Sequence, residues 1–209
     1  MPGRRLLTGL VLSSSLVAPA ITPPRAHAAP PVPPPPPAIA PTPSRPAPAP
    51  ELRELAPLEG AWRCEGTSPA GPFGPEQSYK ATLRVKKDLG DFWYALEYEQ
   101  KKTKQYKEPI SARGFLGYDT AAKAFVRIAT DSLGGWASAS SKGWQDGKLV
   151  FSGELAAMGQ RIPFRQTYTK KGDREIVALG ELKIGKDWIA LGTDACRRGK
   201  ASATIEPAR

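Results

Sequence analysis

Histidine is nearly missing from this 209-residue chain, and the one copy, His27, sits in an N-terminal segment expected to be removed. The rest of the chain therefore has no imidazole to ligate zinc or haem and no Ser-His or Cys-His pair for nucleophilic catalysis. Cysteine is scarce as well. Cys64 lies near the start of the foldable region and Cys196 near its end, and two cysteines in an exported domain read better as one disulfide than as a metal or redox site. No segment sustains a 3.6-residue apolar period, which excludes a helical architecture. No glycine-rich phosphate loop, zinc spacing or nucleophile elbow occurs. No apolar run reaches the roughly 20 residues that a spanning helix needs.

Proline is abundant at the start of the chain. Residues 1–28 read as a secretory signal, with Arg4 and Arg5 as the basic region, Leu6 to Ala20 as the apolar region and Ala26-His27-Ala28 as a small-x-small cleavage site. The expectation is an exported, periplasmic or secreted protein. Residues 29–50 hold twelve prolines, five of them in a row from Pro33 to Pro37. Such a tract cannot bury a core and favours polyproline II at about 3.1 Å per residue, a spacer of up to roughly 70 Å. Formal net charge is +10, and removal of Arg4, Arg5 and Arg25 with the leader would leave about +7. The densest basic run is Lys101-Lys102-Thr103-Lys104-Gln105-Tyr106-Lys107. It reads first as a solvated loop, and secondly as a grip for an anionic envelope surface. Export argues against a nucleic-acid partner, and a monomer is expected.

Residues 51–209 are enough for one domain with a core of its own. Glu51 to Leu55 reads as a short helical turn ahead of Pro57. Beyond it, period-two alternation dominates. Tyr79, Ala81, Leu83 and Val85 share one face against Lys80, Thr82, Arg84 and Lys86, and Phe92, Tyr94, Leu96 and Tyr98 oppose Glu97 and Glu99. Asp119 to Lys123, Gly134-Gly135, Asp146-Gly147, Lys171-Gly172-Asp173 and Gly185-Lys186-Asp187 mark reversals. About ten short strands with tight turns and no crossover helix make an all-β protein, a single antiparallel up-and-down β-barrel. A β-sandwich is the alternative, and it would not need Cys64 and Cys196 to be neighbours.

Leu58-x-Gly60-x-Trp62-x-x-Glu65-Gly66, Leu96-Glu97-Tyr98, Gly117-Tyr118-Asp119-x-x-x-Lys123-x-Phe125, Thr130-Asp131-Ser132 and Asp146-Gly147-Lys148 occur in that order. Together they resemble the bacterial family named domain of unknown function 1579, over most of Leu58 to Thr169 and less over the last two strands. The Gly-x-Trp opening is also similar to that of the lipocalin and nitrobindin-like barrels, the calycin group, whose closed barrels bind small hydrophobic ligands or haem inside. The lipocalin likeness implies a basic residue of the last strand packed across the first-strand tryptophan. A direct Cys64 to Cys196 pairing would put Arg198 across from Trp62 and Arg63 across from Arg197. The nitrobindin-like haem site uses a histidine, so haem of that kind is not expected, and no other cofactor or metal is.

The expected interior set is Tyr79, Phe92, Tyr94, Leu96, Tyr98, Phe151, Phe164, Gln166, Tyr168 and Trp188. These residues are an apolar wall with a few polar handles, suited to a small apolar or amphipathic ligand. Packing as an ordinary core is the competing expectation. Asp119, Asp131 and Ser132 read as turn residues, and Glu97 and Glu99 as a solvated face. No catalytic residues are expected, and a hydrolase is the weakest reading.

Overall fold

The computed structural model describes residues 46–72, 74–103 and 107–199. The expected leader, most of the proline tract and part of the Lys101 to Lys107 run lie outside the described residues. A 3-10 helix, Pro50–Leu58, comes first. Eleven strands follow: β1 (Gly60–Ser68), β2 (Gln77–Asp88), β3 (Trp93–Gln100), β4 (Ser111–Asp119), β5 (Ala124–Asp131), β6 (Trp136–Ser141), β7 (Trp144–Gln145), β8 (Lys148–Ala157), β9 (Gln160–Lys170), β10 (Glu175–Ile184) and β11 (Asp187–Arg198).

Alternation in the sequence becomes alternation of burial. In β2, Tyr79, Ala81, Leu83 and Val85 are buried while Ser78, Lys80, Arg84 and Lys86 are exposed. Every consecutive pair in the meander is antiparallel, β6 pairs with β8 past the two-residue β7, and β1 pairs with β11. Ten strands therefore form a closed ring in which each has two neighbours, which removes the open edges. Two stacked sheets are excluded. The Asp146-Gly147 reversal has positive φ at both positions, 49° and 71°, the two-residue hairpin geometry that suits the twist of the flanking strands.

The first and last strands meet at the seam. Trp62 faces Arg198, Arg63 faces Arg197 and Cys64 faces Cys196, and the two cysteines are bonded. The like charges of Arg63 and Arg197 are relieved by Glu175, 3.5 Å from Arg197, rather than by Glu65.

The helical turn is longer than its sequence suggests and of a different kind, running as a 3-10 helix to Leu58. Proline supplies the reason, since Pro57 has no N–H to donate and disfavours the α conformation at the residue before it. Leu52, Leu55 and Leu58 are buried in the main core cluster with Trp62, Leu149 and Phe151. The helix thus stops one end of the barrel. Trp62 Nε1 donates to Leu58 O at 2.9 Å, Arg198 Nη2 to Pro57 O at 3.0 Å and Trp144 Nε1 to Glu54 O at 2.7 Å.

Candidate functional site

The two halves of the barrel interior differ. Near the helix the inward-facing side chains are large and sealed: Leu116, Leu149 and Phe151 are at 0 % exposure and Trp62 and Tyr94 at 2 %. Toward the other end small inward residues are interspersed with large ones, of which Tyr79, Phe164 and Leu182 are themselves buried. Pairing continues inward rows through Gly114 and Ala129, through Ala139 and Gly153, and through Gly180 and Gly192. Tyr98, Arg127, Ala129, Gly153, Gln166, Gly180, Gly192 and Asp194 all point inward by register yet keep accessible surface. Glycine and alanine do not reach the barrel axis, and a ten-stranded ring is wider than the eight-stranded kind that side chains fill. The half of the interior away from the helix, the cup, is thus the half whose inward positions keep some accessible surface. Leu133, Trp136, Met158, Ile184 and Trp188, five of the large apolar side chains left exposed, lie on the turns and strand ends at the rim of that half.

Polar groups converge in the cup. Tyr98 Oη donates to Asp194 Oδ1 at 3.2 Å, and Gln100 Nε2 donates to Tyr98 Oη at 3.5 Å. Tyr79 also bonds to the Asp194 carboxyl; its ring lies over Gly66, where a Cβ would come within 2.1 Å of it. Burial raises the Asp194 pKa to about 6, against the opposing hydrogen bonds from Tyr98 and Tyr79. Burial, followed by the charge of Asp194 and by Tyr79, also raises the Tyr98 hydroxyl.

Because the folded Asp194 pKa lies above that of an unfolded aspartate, the native state holds the extra proton between pH 4 and 6. Stability should fall as pH rises through that window, by on the order of 2 kcal/mol, and then level off. Asp194→Asn keeps an acceptor for Tyr98 and removes the titration. Urea unfolding at pH 4.5 and 7 should show that part of the slope in the wild type and lose it in the variant.

Of the expected interior set, Tyr79, Tyr94, Leu96, Phe151 and Tyr168 belong to the main packed core with Tyr98 against it, Phe164 belongs to a second buried cluster nearer the other end, and Gln166 points inward half-buried. Phe92 falls in the turn before β3, half-buried, and lines neither part. Trp188 is a correction. It pairs with Lys183 on the outside, 36 % exposed, under the Arg165 guanidinium at 4.4 Å. The cause is a bulge. Gly180 pairs with Gly192 but Glu181 with Ala190, so Leu191 is an extra residue that reverses the facing of everything before it in β11.

A family model described as "Protein of unknown function (DUF1579)" matches residues 47–185. The chain belongs to the DUF1579 family. The match ends before β11, so Asp194, Cys196 and Arg198 lie beyond it. The DUF1579 barrel is also similar to the crystal structure of Rv2717c from M. tuberculosis, with a TM-score of 0.57 and 14% identity over 74% of this chain and 100% of that one. At that identity the likeness concerns the fold alone. No curated protein matches.

Arg127 and Asp194 are the cup residues that motif reading passes over. Asp194 shares the face of Cys196, two positions on, so the cysteine phase alone places it inside. Arg127 shares the face of Phe125. The acids read as turn residues have that role: Asp119 Oδ1 accepts from the backbone of Ala121 and Ala122, and Asp131 Oδ1 from Leu133 and Gly135. Among the described residues no cluster of His, Cys, Asp and Glu could hold a metal, and no helix is long and apolar enough to cross a membrane. A surface hollow of about 470 Å³ lies at the closed end between Lys171–Glu175 and Arg197–Arg198. It is flanked mainly by charged side chains, with no converging polar set like that of the cup.

Proposed function

We propose that this DUF1579 protein is an exported, non-catalytic barrel that binds a small amphipathic molecule in its interior. The observation that carries the reading is the group of inward polar side chains, Tyr98, Arg127, Gln166 and Asp194, set among glycines, alanines and a second apolar cluster in the half away from the helix. Ligand sites are apolar surroundings with a small number of placed polar groups, and a barrel interior that only packed would have little use for a buried cation beside them. The exposed apolar rim suits a ligand that arrives from an apolar source. No cofactor is invoked.

Binding of an anionic envelope polymer to the outer face is the weaker reading. The outward basic residues are spread over the whole barrel rather than gathered into one face, and some are already paired, Arg84 and Lys86 with Glu97, Arg113 with Glu99 and Arg161 with Glu154.

Native mass spectrometry of the protein purified from its own envelope tests the proposal. A released non-covalent adduct, displaced by a competing amphiphile, is the expected result. A bare polypeptide mass that gains no adduct on incubation with envelope lipids would count against interior binding.

A further inference from the structure

Among the described residues Arg127 is the one cation whose register turns it into the cup. It pairs with Leu116 on one side and Ala139 on the other, both buried and inward. Its guanidinium extends past Ala139 and Gly153 to lie 5.6 Å from the centroid of the buried Phe164 ring. Nε and Nη1 are buried without a hydrogen-bond partner, which leaves three of the five N–H donors unmet. No ion pair reaches it among the described residues, and Asp194 is engaged by Tyr98 and Tyr79. The ring face offsets part of the charge but satisfies none of the donors. Native interiors rarely leave buried donors unmet, and an unpaired buried charge is costly.

Building on the interior-binding reading, we infer that the ligand is an organic anion, an amphipathic carboxylate whose head group is taken by Arg127 in the cup. The arrangement assigns each part a place. The carboxylate accepts the unmet guanidinium donors in the forked geometry that suits the pair. The apolar portion runs upward between Phe164, Leu155, Ile162 and Leu182, the second apolar cluster of the interior, toward the apolar rim. Asp194, bonded to Tyr98, lies on a strand across the ring from Arg127, where its negative charge disfavours a carboxylate and leaves Arg127 as the counter-ion among the described residues.

The full chain is titrated by fluorescence with cis-parinaric acid and, separately, with its methyl ester. The acid should bind about 10- to 100-fold more tightly, the worth of a hydrogen-bonded charge pair. Arg127→Met should bring the acid down to the affinity of the ester and leave the ester within twofold. It should also leave the melting temperature unchanged or raised, because an unmet buried charge is removed. Arg127→Lys should keep part of the preference and serves where the methionine variant does not fold. Equal affinity of the wild type for acid and ester, or a preference that survives Arg127→Met, overturns the inference while leaving interior binding intact. Failure of both probes to bind the wild type overturns the interior-binding reading and this inference with it.

Discussion

Reduction of the Cys64–Cys196 bond, or Cys64→Ala with Cys196→Ala, should lower the unfolding free energy by about 3–5 kcal/mol. The bond spans 132 positions of sequence, so it closes nearly the whole folded region into a loop, and long loops lose the most denatured-state entropy on crosslinking. It also sits where the ring joins its first strand to its last, a contact with the highest sequence separation in the barrel. Without the crosslink that pairing must be found by diffusion after the rest of the meander has formed, so refolding should slow as well. The two sulfurs are buried, at 2 % and 1 % residue exposure, so alanine variants add a small cavity term to the same loss. Urea unfolding of oxidised and reduced protein, with matched refolding rates, separates these contributions. A midpoint that does not move on reduction would mean that β1 and β11 hold each other without the crosslink.

The closed ring is legible in the sequence because its parts agree. Alternation from Tyr79 to Val85 and from Phe92 to Tyr98, the turn residues and an even strand count all require an antiparallel meander, and two cysteines at the extremes say where it closes. The cup is less legible, for identifiable reasons. Trp188 reads as inward when alternation is carried along β11 without a break, and Leu191, the bulged residue, carries no mark that distinguishes it from its neighbours. Arg127 lies between Val126 and Ile128, two apolar residues that face outward, so hydrophobicity alone assigns the strand its faces in reverse. Only the partner strands, through Leu116 and Ala139, decide the matter. Which inward residues seal and which line the cup follows from the stagger of neighbouring strands. That stagger brings Tyr94 and Phe151 to the level of the helix and Gly153 and Gly180 to the other half. A list of inward aromatics therefore mixes core with site.

Trp62→Ala should cost about 4–5 kcal/mol, at the upper end of what a buried large aromatic loses on truncation. Trp62 is at 2 % exposure and holds three parts of the molecule at once. Its indole fills the closed end against the leucines of the 3-10 helix, its Nε1 donates to Leu58 O, and Arg198 Cζ sits 4.6 Å over its ring. The truncation leaves a cavity, frees the last turn of the helix and removes the face on which the Arg198 charge rests. Arg198 would retain its bond to Pro57 O, but its buried Nε already lacks a hydrogen-bond partner, and loss of the ring removes the remaining offset. Trp62→Phe keeps most of the volume and the ring face while deleting the donor to Leu58, so a cost of about 1–2 kcal/mol is expected. The difference between the two variants isolates packing and cation contact from the hydrogen bond. Chemical denaturation followed by tryptophan fluorescence and far-ultraviolet circular dichroism reads both. If Trp62→Ala costs no more than Trp62→Phe, the helix docks on a barrel that is already stable, and the closed end is an ornament of the fold. The expected gap of about 3 kcal/mol makes helix, seam and ring one cooperative unit.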